Sequence, residues 1–138
     1  MKQQSGFTYM GVLLAIALLG IGLVAASEVW VKAARQQRME QLDWVGQQYV
    51  QAIGSYYEAS PGRTKVFPTS LQDLIEDRRF SFARRHLRSL YANPFTGTAE
   101  WELIRAPGGG IRGVRVVVEI AEGSASAARE FAYVPTTR

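Results

Sequence analysis

Hydrophobic and polar positions divide the chain into three regimes. From Phe7 to Ser27 every residue is uncharged and most are apolar. As a helix this stretch measures roughly 31 Å, enough to cross a bilayer core. From Glu28 to Ala59 there is no proline, and Gly46 and Gly54 are the only glycines. Leu42, Val45, Tyr49, Ala52 and Tyr56 recur at steps of three and four, one stripe of an amphipathic helix. Gln36, Gln37, Glu40, Gln41, Asp43, Gln47 and Gln48 fall on the other faces, and Ser60-Pro61-Gly62 stops the pattern. Read as one piece, Phe7–Ala59 is a helix of about 80 Å, apolar all round in its first half and on one side in its second. The competing reading is two helices hinged near Ser27.

Past the helix, periodicity shortens. Pro68-Thr69-Ser70 precedes Leu71-Gln72-Asp73-Leu74-Ile75, where Ser70 and Asp73 supply capping chemistry for a short helix with Leu71, Leu74 and Ile75 inward. A second short helix is expected around Phe82–Tyr91, with Leu87, Leu90 and Tyr91 inward. Asn93-Pro94-Phe95-Thr96-Gly97 and Ala106-Pro107-Gly108-Gly109-Gly110 are turns. Glu100–Arg105 alternates, with Trp101 and Leu103 on one face. Val114, Val116, Val118 and Ile120 alternate with Arg115, Val117 and Glu119. Glu122–Ala128 reads as a small-residue loop, and Phe131 and Tyr133 mark a last strand ended by Pro135. The expected fold is α+β: a long N-terminal helix packed on a small C-terminal antiparallel sheet spanning 100–135.

Composition narrows the chemistry. The 138 residues include no cysteine, so disulfides and thiolate sites are excluded. The net charge of +4 is mild. His86 is the single histidine, in Arg84-Arg85-His86-Leu87-Arg88. It has no neighbouring serine and aspartate to suggest a triad, and it reads as a solvated helix face. Pro107-Gly108-Gly109-Gly110 lacks the lysine and following helix of a phosphate loop. Arg78, Arg79, Arg84, Arg85 and Arg88 form the one basic cluster. A solvated face or an acidic partner is favoured over nucleic acid there. No catalytic residue, metal ligand or cofactor is expected.

The N-terminal join carries the most specific signal. A polar leader, Met1 to Gly6, meets Phe7-Thr8-Tyr9-Met10-Gly11-Val12-Leu13-Leu14. It resembles the class III signal of type IV pilins and type II secretion pseudopilins. The order of the chain resembles the same family: leader, long helix, variable region, small sheet. Phe67-Pro68-Thr69-Ser70-Leu71-Gln72-Asp73-Leu74 and Leu90-Tyr91-Ala92-Asn93-Pro94-Phe95-Thr96-Gly97 are similar to steps of the major pseudopilin. The resemblance implies cleavage after Gly6, methylation of the Phe7 amine, and a transmembrane segment over 7–27. It also implies a periplasmic domain over 28–138 and an inner-membrane, single-pass location. The implied partners are other pilins or pseudopilins, the prepilin peptidase and an inner-membrane assembly platform. The small pairs Gly11/Ala15 and Gly22/Ala26 are candidate helix-packing positions.

Two features depart from that family. Its usual fifth mature residue, glutamate, is Gly11 here, which points to a minor or accessory subunit. Its aspartate-rich calcium loop has no counterpart, because Gly97–Arg138 contains neither aspartate nor asparagine. The flanking charges, Lys2 on one side and Lys32, Arg35 and Arg38 on the other, do not fix orientation. Three other readings compete: a Sec signal peptide with its apolar region over 10–24, cut near Val24-Ala25-Ala26 to release a periplasmic domain; an ordinary membrane anchor; and a DNA-binding minor pilin.

Overall fold

A computed structural model describes residues 5–119 and 126–135, without the side chains of 5, 6, 22–28 and 119. One helix, α1, runs over Ser5–Glu58. Three antiparallel strands follow: β1 (Glu102–Arg105), β2 (Ile111–Glu119) and β3 (Ser126–Ala132), in the order β1-β2-β3. The α+β class is as expected, and no hinge near Ser27 interrupts the helical backbone.

The chain forms two units, Met1–Arg38 and Met39–Arg138. In the first, the side chains from Phe7 to Ile21 are all exposed, Phe7 by 89% and Ile21 by 69%. Among the described residues no helix is long and apolar enough to cross a membrane. The end of the expected 7–27 span, with Gly22 and Ala26, lies outside the described side chains, and Met1–Gln4 of the leader lie outside the described residues.

In the second unit, Met39–Glu58 of α1 packs on the sheet. Leu42, Val45, Tyr49, Ala52, Ile53 and Tyr56 are buried with Ile111, Val114, Val116, Val118 and Phe131. The helical stripe and the alternation of β2 therefore meet as one core. Two of its contacts need glycine. A Cβ at Gly46 would overlap the Phe131 ring, and one at Gly54 would lie 2.7 Å from Tyr133. The rings of the last strand and its extension thus seat in notches on the helix. Arg129 reaches Asp43 of α1 at 3.2 Å, and the Tyr133 hydroxyl donates to Glu58 at 3.0 Å. On the opposite sheet face, Arg115 donates to Glu102 at 2.7 Å and lies 3.5 Å from Glu130, an ion-pair row across all three strands.

Three details differ from the sequence reading. The segment Phe82–Tyr91 is not a helix; it is an irregular run pinned by an antiparallel bridge between Asp77 and Arg84. Leu87 is still buried, and Leu90 and Tyr91 half-buried, so the inward residues were right while the backbone was not. The short helix at Leu71–Leu74 is present but is a single 3-10 turn. Asp73 accepts from the Ser70 and Thr69 N–H groups, each at 2.9 Å, and from the Thr69 hydroxyl at 2.8 Å. Burial raises the Asp73 pKa, but these donors outweigh it and hold the carboxyl below its ordinary value. The expected loop Glu122–Ala128 gives way to strand from Ser126 onward, small residues being able to line an edge; Ile120 and 121–125 lie outside the described residues.

Candidate functional site

The expected arginine cluster separates into two groups. Arg79 is not a surface cation. Its Nε donates to Asp77 Oδ1 at 2.9 Å and its Nη2 to Asp77 Oδ2 at 2.7 Å, a two-pronged pair. The same guanidinium donates to Ser60 Oγ at 3.0 Å and to the Tyr56 carbonyl at 2.9 Å, and lies 3.5 Å from the centroid of the Tyr56 ring. Tyr56 O is among the carbonyls that a helix leaves unpaired at its end, so Arg79 caps the C-terminus of α1. Asp77 is fully buried. The Arg79 side chain, its N–H group and His86 overcome burial and hold the Asp77 carboxyl down at about 2.

His86 is the second surprise. Its side chain is only 5% exposed, not solvated. Nε2 lies 3.2 Å from Asp77 Oδ2, and Nδ1 lies 2.8 Å from Ser55 Oγ. A carboxylate only accepts, so Nε2 carries the proton; in the neutral ring Nδ1 then accepts from the Ser55 hydroxyl. The Leu74 carbonyl accepts the N–H groups of His86 and Leu87, both at 2.8 Å. The fold therefore aligns Ser55, His86 and Asp77, which the sequence keeps far apart.

That line has the order of a hydrolytic triad but not its surroundings. Both Asp77 oxygens are engaged by Arg79. Ser55 lies within α1, where backbone N–H groups are taken up by helical bonds rather than left to stabilise an oxyanion. The adjoining cleft, about 570 Å³, is lined by Tyr56, Thr69, Gln72, Asp73, Glu76 and Arg78 among others, and neither Ser55 nor His86 borders it.

Arg78 pairs with Glu76 at 2.9 Å. Arg84, Arg85 and Arg88 are exposed and make no ion pair among the described residues. Phe80 and Phe82 accompany them, with the Arg84 guanidinium 4.7 Å and 5.9 Å from the two ring centroids. Gly11 and Ala15 sit on α1 with exposed positions, and a Cβ at Gly11 would meet nothing within 4 Å. Gly6 is helical and Phe7 fully open; Gly22 and Ala26 fall outside the described side chains. Among the described residues no group of three or more His, Asp or Glu is placed to hold a metal ion.

The sequence signal for the clamp is thin. Asp77 leads directly into the arginines, and nothing in its spacing announces Ser55, Ser60 or Tyr56 as partners. No protein-family model, curated protein or solved structure matches this chain.

Proposed function

We propose that the chain is a pseudopilin-like structural subunit, of minor or accessory type, in a type II secretion or type IV pilus machine. One observation carries this reading: a single helix, Ser5–Glu58, exposes apolar residues all round from Phe7 to Ile21, then buries one stripe under a three-stranded sheet. A globular domain has no use for ten large apolar side chains left open within fifteen successive residues, Phe7 to Ile21; a helix that lies in lipid or among like helices does. The Gly6-Phe7 junction supports the same reading. The work is assembly rather than catalysis. The Asp77–Arg79–His86 cluster serves as a clamp on the end of α1, and the helix carries the subunit into the membrane with the remaining domain in the periplasm.

Mass spectrometry of the protein purified from its own cells tests this. The expected chain begins at N-methylated Phe7, and Gly6→Val leaves the precursor uncut, because the peptidase requires a small residue there. A chain that begins near Ser27, or a mutant of unchanged mature size, refutes the reading.

A further inference from the structure

The run 78–88 holds five arginines, yet the fold neutralises two of them. Arg78 is paired with Glu76 and Arg79 with Asp77. Glu76 is held mainly by Arg78 and feels Arg85 only at longer range. Three positive side chains remain open: Arg84, Arg85 and Arg88. Beside them Phe82 stands 67% exposed, a large ring left in water next to a guanidinium.

The backbone below this patch is fixed. Asp77 N–H donates to the Arg84 carbonyl at 2.8 Å, and Arg84 N–H returns a bond at 3.2 Å. His86 is tied to Ser55 and Asp77, and Leu87 is buried. The inward residues at 86 and 87 thus set Arg84, Arg85 and Arg88 outward on a rigid ridge. Such preorganisation lowers the ordering cost of binding.

From this we infer that Phe82, Arg84, Arg85 and Arg88 form a docking site for a carboxylate-rich surface of a partner protein, with Phe82 as the apolar anchor. Arginine and aromatic side chains without lysine make the composition of a protein interface centre. Each guanidinium fits a carboxylate with two parallel hydrogen bonds. Nucleic acid fits less well. A phosphate-bound footprint commonly uses about six to ten contacts, whereas three cations are open here. Arg84 also covers part of both rings, leaving less face for stacked bases. This inference is independent of the membrane reading: it rests on the Met39–Arg138 unit alone.

The test places p-benzoylphenylalanine at position 82 in the full-length chain, expressed in its own cells and irradiated. Phe82 is exposed, so the replacement leaves the core intact; a native-like thermal transition of the purified protein checks this. The expected product is a discrete protein adduct whose cross-linked peptide, sequenced by mass spectrometry, contains clustered aspartate or glutamate. The yield should fall about tenfold or more when Arg84, Arg85 and Arg88 become glutamine, the loss expected for about 1.4 kcal/mol or more of charge pairing. Three results overturn the inference: an adduct to lipid or to nuclease-sensitive material, a cross-linked peptide without acidic residues, or no adduct. Retention of the purified full chain on oligodeoxythymidylate or on phosphatidylglycerol vesicles at physiological salt, lost in the triple variant, assigns the ridge to those ligands instead.

Discussion

Asp77 is the residue on which the clamp turns. It is fully buried, and Arg79 holds its pKa at about 2, against an ordinary 3.8. A carboxyl depressed on folding adds stability above its unfolded pKa and loses it as pH falls through the folded one. The Asp77 contribution, about 2 kcal/mol, is therefore complete above roughly pH 4 and fades toward pH 2. Urea midpoints measured across that interval should fall, and Asp77→Asn should flatten part of the slope, with the other depressed carboxyls, Asp73, Glu58 and Glu76, also contributing. At neutral pH the same variant should cost about 3 kcal/mol, because it leaves the Arg79 guanidinium unpaired against Tyr56. No pattern in the sequence joins Asp77 to Ser55 and His86. Their proximity comes from the return of an irregular segment past the end of the helix, a tertiary fact that local spacing does not encode.

At the scale of elements, the sequence was most readable where one period persisted. Leu42, Val45, Tyr49, Ala52 and Tyr56 are all buried on α1, and Val114, Val116 and Val118 all face it from β2. Leu42→Ala should cost about 3 kcal/mol in equilibrium unfolding, with no space for the core to close over the gap. Gly46 gives the converse case. An alanine there meets the Phe131 ring and should destabilise by about 1–3 kcal/mol. Gly54→Ala should cost less, because Tyr133 is only half-buried and its ring has room to swing. The expected helix at Phe82–Tyr91 failed for a physical reason. Its apolar spacing also suits an extended run, and the bridge to Asp77 and the bonds to Leu74 O take up backbone groups that a helix would have used. Of Trp101 and Leu103, read as sharing one face, Trp101 packs against the core, whereas Leu103, opposite Val114 on an edge strand, stays 38% exposed.

At the scale of the whole molecule, the proposed subunit works by lateral contact of its apolar helix. Gly22→Leu should reduce co-purification with partner pseudopilins while the protein still resists extraction from membranes; undiminished co-purification would remove that face from consideration. The aromatic seats of Gly46 and Gly54 have a further consequence, one of timing. The contacts that tie β3 and its extension to the helix join residues 86 and 75 positions apart, Arg129 to Asp43 and Tyr133 to Glu58. Closing such long loops is slow compared with winding a helix. During synthesis α1 therefore forms early and waits with an open apolar groove until the last strand emerges to fill it. For that interval the helix is a target for any chaperone or neighbouring chain that carries an aromatic strand, so slowed elongation just before residue 126 should raise aggregation more than the same pause after β3 has emerged.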